Sequence, residues 1–310
     1  MLRSAGCLIA LALVLRCALL AGEPALAAAA KEAARGDCAA ADRMIRPYLQ
    51  GVGKADADAY RLLADCFART GQPAQAVTTL REGIAAAPSS AVLQRSLGVA
   101  LFRQNPKDGE AGDLLRRASQ TRPGDPEAGH YYAQWAHVNQ QDQICVRTEK
   151  AALRNTGLND LALLQMYTLL GMCQSRLEAV EEARAAFLKA RAVNLKRTRF
   201  DPMAAYQYVQ LLTRHGEERE AMLMVDEILQ RAPAFAPALL ERAKSFDRAQ
   251  RPGEAIEAAR TVLAGEALDA ATERAAHGIL ARCYFLTGNV AAAEQEQQWI
   301  QQHPNPDTRR

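Results

Sequence analysis

Between residues 57 and 88 the apolar positions fall on two short helical faces separated by a break. Tyr60, Leu63-Ala64 and Phe67 recur at spacings of three and four, which puts them on one side of a helix. Gly71 interrupts the period, Ala76, Leu80 and Gly83 resume it, and Pro88 stops it. The pattern predicts a helix, a turn and a second helix. The same order of features returns down the chain. It runs Leu97-Gly98, Leu101, Ala111 and Pro123, with one residue inserted around Asn105-Pro106; then, least regularly, Tyr132-Ala133 and Ala152 after Pro126. It continues as Tyr167, Leu170-Gly171, Ala183, Phe187 and Ala190, then Tyr208, Leu212, Gly216, Ala221, Val225 and Pro233. Leu239, Ala243, Phe246, Ala255 and Val262 make a sixth unit, and Leu280, Tyr284, Gly288, Ala293 and Pro304 a seventh. Starts near 57, 91, 126, 164, 202, 236 and 274 give steps of 34, 35, 38, 38, 34 and 38 residues. The longer steps predict longer turns, at Thr156-Gly157-Leu158-Asn159 and at Arg197 to Pro202. Upstream, Lys31 to Leu49 reads as a helix pair cut short, with Gly36 as its turn and Ala41 and Ile45 on its second helix.

These positions resemble the tetratricopeptide repeat, a helix-turn-helix unit of about 34 residues. The resemblance covers nearly all of residues 31–304. It implies an all-α fold, a right-handed superhelix of about seven repeats after an N-terminal partial one, with first helices (A) lining a concave groove and second helices (B) outside. Terminal units must close the apolar stack, and the polar tail Gln295-Glu296-Gln297-Gln298 and Gln301-Gln302-His303 suits a cap.

The first residues read differently. Met1-Leu2-Arg3 is a short basic start, Ser4 to Leu15 is an apolar run too short to span a bilayer, and Ala25-Leu26-Ala27 has the small-x-small form of a signal-peptidase site. Residues 1–27 are therefore expected to be a secretory signal, leaving 28–310 as a single solenoid domain, periplasmic or secreted. Arg16 interrupts the apolar stretch, so an uncleaved N-terminal anchor stays open. Arg16 also sits where a lipobox before Cys17 needs a small residue.

Composition adds exclusions. Hydrophobic residues make up 49% and aromatic residues only 5%; alanine dominates the apolar share, which favours close helix packing over strands. The formal charge is +3 from 38 basic and 35 acidic residues, scattered without a like-charge run, so nucleic acid is not an expected partner. Loss of Arg3, Arg16 and Glu23 with the signal, two cations and one anion, would leave +2.

Of seven cysteines, Cys7 and Cys17 lie in the signal. Cys38 precedes Cys66 by 28 residues and Cys145 precedes Cys173 by the same 28. Placed on the repeat, the first member of each pair starts a helix B and the second ends the next helix A, at the same end of an antiparallel stack. Disulfides Cys38–Cys66 and Cys145–Cys173 are expected, with Cys283 free.

No catalytic constellation is present: there is no His-Glu-x-x-His, Gly-x-Ser-x-Gly, P-loop or Cys-x-x-Cys. His130 and His137, seven apart on one face, are about 10 Å apart along the axis, too far to share a metal. No cofactor or metal is expected. By resemblance, the ligand-facing stripe of helices A comprises Arg61, Asp65 and Arg69, then Arg95, Phe102 and Arg103, then His130, Gln134 and His137. It continues with Met172 and Arg176, with Tyr206, Gln210 and Arg214, and with Lys244 and Arg248. Arg69, Arg103, Arg176, Arg214 and Arg248 near the ends of helices A form either a basic ladder that reads carboxylates or cations placed against helix C-termini. The reading is a non-enzymatic scaffold that binds a protein or peptide of the cell envelope in its groove, as an accessory of assembly, secretion or exopolysaccharide export. Small-molecule ligands are not expected, nor is a membrane span in the mature chain. The alternative is an enzyme of unrecognised type, peptidase-like or glycosidase-like, carrying a repeat array.

Overall fold

Alternating apolar periods and turn residues produce helices joined by two- to seven-residue connections in a computed structural model that describes residues 26–51, 53–265 and 268–304. Every regular element among them is an α-helix. Residues 26–35 are helical (α1). Next come α2 (Cys38–Gln50), α3 (Ala57–Arg69), α4 (Pro73–Ala86), α5 (Ala91–Gln104), α6 (Gly109–Thr121), α7 (Pro126–Val138) and α8 (Asp142–Ala152). Then follow α9 (Asp160–Arg176), α10 (Val180–Lys196), α11 (Pro202–Arg214), α12 (Glu218–Arg231), α13 (Ala236–Arg248), α14 (Pro252–Leu263), α15 (Ala270–Leu286) and α16 (Val290–Gln302). Odd-numbered helices from α3 onward are the predicted helices A and even-numbered ones the helices B. Each pair packs together, α3 on α4 through α15 on α16. No described helix is long and apolar enough to cross a membrane.

Two repeats start one turn earlier than expected, at Asp160 and Ala270 in place of 164 and 274. The steps between helices A are then 34, 35, 34, 42, 34 and 34 residues. The single long step does not come from a long turn. It comes from α9 and α10, 17 residues each where α11 and α12 have 13 and 14. About four residues make one extra helical turn, so the added length leaves the buried face unrotated. That invariance is why spacing alone misplaced the start.

The turn inside each pair explains the recurring glycine. Gly36, Gly71, Gly216 and Gly288 have φ of 85°, 75°, 74° and 77°, the left-handed region that ends a helix and that glycine enters at no steric cost. At the equivalent positions Gln140, Glu178 and Gln250 adopt φ of 60°, 56° and 53°. The closing bond is the same either way: Gln72 N–H donates to Phe67 O at 2.8 Å, Gln141 N–H to Ala136 O at 2.7 Å and Ala179 N–H to Gln174 O at 3.0 Å.

Packing divides the chain at Thr156/Gly157 into two compact units. In the first, one core runs from Ala29 and Ala33 of α1 through Ile45, Leu63, Leu80, Leu93 and Leu97 to Leu114. The leader expected over residues 1–27 lies outside the described residues except for Leu26 and Ala27. Leu26 packs against this core, and a chain beginning after Ala27 would keep the buried Ala29 and Ala33. In the second, a core runs from Ala183 and Phe187 through Leu212, Val225, Ile228, Leu239 and Val262 to Tyr284. It thins at α16, whose one fully buried residue among those described is Ala293. Glycines within helices mark close crossings: a Cβ on Gly171 would stand 2.7 Å from the Phe187 ring.

A groove cavity and the placement of the expected residues

The face of α3, α5 and α7 left free by the first unit's core forms a concave strip. It holds a cavity of about 440 Å³ with a floor of Ala64, Ala68, Ala76, Leu80, Val99 and Ala100. Small side chains at the helix crossings leave this volume. Arg61, Asp65, Arg95 and Arg103, all expected in the groove, line it together with Glu127 and Tyr131.

Most of its charge is answered internally. Arg61 lies between Asp58 at 3.3 Å and Asp65 at 3.2 Å. Arg95, 19% exposed, is held by Asp125 at 2.6 Å and Glu127 at 3.1 Å. Arg103 differs: its guanidinium donates to the Tyr131 hydroxyl at 3.1 Å and sits 6.0 Å from that ring's centre, a neutral partner on both counts. It is the cation of this cavity with charge to spare for a ligand.

Other expected residues are used by the repeats themselves. Arg69 donates to Ala33 O at 3.0 Å, closing the end of α1. Phe102 packs partly buried on the first core. His130 is buried, its Nδ1 2.7 Å from Glu149 Oε1 and its Nε2 2.9 Å from Gln134 Nε2. His137 Nδ1 lies 2.9 Å from Asp142 Oδ1. These two rungs share one antiparallel register between α7 and α8, so the histidine pair braces a repeat and does not line the cavity. Burial raises the Glu149 carboxyl above the usual range against the opposing pull of His130, and its Oε2 finds no partner.

In the second unit, Met172 packs on the core and Arg176 is exposed at the end of α9. The Tyr206 hydroxyl donates to Glu241 Oε1 at 3.3 Å, and Lys244 Nζ meets the same oxygen at 2.9 Å. Burial, then the neighbouring Glu241 charge, raises the Tyr206 phenol, which also bonds Gln210. Arg214 donates to Ser175 Oγ at 3.1 Å and Arg248 pairs with Glu218. The arginines of the expected ladder thus have partners of their own.

Tyr131 and Glu127 were missed by sequence reasoning. The α7 stripe was set on His130, in register with Arg61 and Arg95, but Glu149 turns that side chain inward. A charged residue 19 positions downstream on the next helix was the available signal.

Cys38–Cys66, the expected disulfide that lies within one unit, links α2 to α3 with Cα atoms 5.7 Å apart. Cys145 and Cys173 are both buried, on α8 and α9 in different units. Cys283 is free and buried. Burial, reinforced by Asp247 at 3.5 Å, pushes its thiol up to about 11.

A family profile described as tetratricopeptide repeat matches residues 67–126 and 240–305, one stretch in each unit. The chain carries tetratricopeptide repeats. Solved structures agree on the fold. The C-terminal part of a TPR repeat-containing protein from Cytophaga hutchinsonii superposes with a TM-score of 0.59 at 18% identity, over 77% of this chain and 93% of that one. A tetratricopeptide repeat protein from Parabacteroides merdae gives 0.58 at 15% identity, over 81% and 94%. Pseudomonas aeruginosa pilF gives 0.56 at 20% identity, over 66% and 90%. Comparison with curated protein sequences finds no match.

Proposed function

We propose that this tetratricopeptide repeat protein is a non-catalytic scaffold that binds an extended segment of another protein in the groove of its first unit. The supporting observation is the 440 Å³ cavity, in which Arg61 and Arg95 are matched by carboxylates while Arg103 is held by a neutral hydroxyl. A segment with small apolar side chains over Ala64, Val99 and Ala100 and an acidic group at Arg103 suits it. The basic, apolar and small-x-small order of residues 1–27 supports export. The partner is then a protein of the cell envelope, and the chain an accessory of assembly or export there.

A photo-crosslinking residue at Val99 in the full chain, in its own cells, tests this. An adduct is expected from Val99, lost on Ala100→Trp or Arg103→Glu, retained on Arg214→Glu and absent from a probe at the exposed Leu223. Equal labelling from Val99 and Leu223, or an adduct indifferent to Ala100→Trp, would refute the groove. Fractionation with mass analysis of the mature N-terminus tests export: a start at Ala28 in the periplasmic or secreted fraction is expected.

A further inference from the structure

Across three of the clefts between helices B of neighbouring repeats, an arginine on one helix is met by a carboxylate on the next. Arg46 of α2 reaches Glu82 of α4 at 2.6 Å, Arg81 of α4 reaches Glu110 of α6 at 2.8 Å, and Arg191 of α10 reaches Glu227 of α12 at 2.5 Å. Between α12 and α14 and between α14 and α16 no such pair forms among the described residues, and none forms between α6 and α8. The cleft there is a cavity of about 450 Å³ to which α6 contributes Arg116 and α8 contributes Arg147.

No carboxylate bridges these two helices across it. The α8 acid in this stretch, Glu149, is turned to His130. Asp113 meets Arg116 from its own helix at 3.1 Å. Asp125, on the cavity edge, is committed to Arg95 at 2.6 Å and to the N–H groups of Glu127 and Ala128. Arg147 has neither hydrogen-bond nor ion-pair partner among the described residues. Tyr132 lines the same cavity, and both guanidinium groups act on its hydroxyl, opposing the rise that burial imposes. Thr148 adds a second hydroxyl.

We propose that this cleft binds a phosphoryl group, free or carried on a small ligand, which takes the place of the missing carboxylate. The donor set favours phosphoryl over carboxylate. A carboxylate has two oxygens and fills one guanidinium fork, whereas a phosphoryl group offers three terminal oxygens, enough for one fork from each helix and a hydroxyl. The site shares no ligand contact with the groove, and its arginines stand on helices B.

The test is titration calorimetry on the full oxidised chain at constant ionic strength, with inorganic phosphate, glycerol phosphate and acetate as probes. Saturable phosphoryl binding is expected, tighter than acetate, about tenfold weaker in Arg147→Ala and lost in Arg147→Glu. It should be unchanged in Arg117→Glu, an exposed neighbour outside the cavity. The stronger of the two phosphoryl probes identifies whether the group is free or carried. Acetate binding as tightly as both, or Arg147→Glu binding like wild type, overturns the proposal. Circular dichroism checks each fold, and Arg147→Gln with Thr148→Val repeats the test should the charge reversal unfold.

Discussion

Glu149 is fully buried, yet one carboxylate oxygen has no partner and the other depends on His130 at 2.7 Å. Replacing it with alanine strands the buried imidazole and opens a void between α7 and α8. Losing one member of a buried pair costs roughly 3–5 kcal/mol, a large part of the 5–15 kcal/mol typical of a domain. Near pH 4, where Glu149 is protonated, Glu149→Gln keeps the shape and a bond to His130, and its expected effect is within about 1 kcal/mol. The two variants also separate on pH. Burial, the largest influence, raises the folded-state pKa of Glu149 above its ordinary 4.5. The stability this group contributes is complete below that value and is lost as pH rises through the folded pKa. Wild type should therefore match Glu149→Gln near pH 4 and fall behind it toward pH 8, by about 1.4 kcal/mol for each pKa unit of the rise. Urea unfolding followed by the fluorescence of Trp135, on α7, reads the first unit directly when Trp299 is replaced by phenylalanine. An alanine variant within 1 kcal/mol of wild type, or parallel pH profiles for wild type and Glu149→Gln, would show that the pair does not carry this energy.

Three further outcomes are expected. Cys38→Ser with Cys66→Ser opens a 28-residue separation and should lower unfolding stability by about 3 kcal/mol; an unreduced digest checks that bond together with the Cys145–Cys173 pairing expected from the same spacing. Glu178→Gly should raise stability by about 1 kcal/mol, because the residue sits at φ 56°, while Gly71→Ala should lower it by a similar amount, both read as shifts in urea midpoint at constant slope. The Cys283 thiol, held near 11 by burial and Asp247, should resist alkylation in the native chain at pH 8 and react on addition of denaturant; rapid native labelling would contradict that environment.

The helix pairs were legible because each face repeats a local pattern: Leu63-Ala64, Leu97-Gly98 and Tyr132-Ala133 name the buried stripe, and Gly71, Gly216 and Gly288 name the turn. Cys38–Cys66 was legible as well, since the offset between one helix B and the next helix A follows from the repeat length. The starts of α9 and α15 were not, because one whole turn leaves the stripe unrotated. Nor was the fate of the arginines. Arg69 and Arg103 hold the same position in their repeats, yet one caps α1 through Ala33 O and the other stacks on Tyr131.

What the amino-acid order determined alone was periodic and local: all-α pairs, their turns, their buried faces and the first disulfide. Tertiary structure decided which charges are spent and which remain open. Arg95 meets Asp125, His130 turns to Glu149, Arg116 pairs with Asp113 of its own helix, and Arg147 lines the same cleft as Arg116 with no ion-pair partner among the described residues. The physical reason is range. A helical face is set by neighbours three and four residues away, whereas a side chain's ionic partner comes from another helix, and only packing brings that helix within reach.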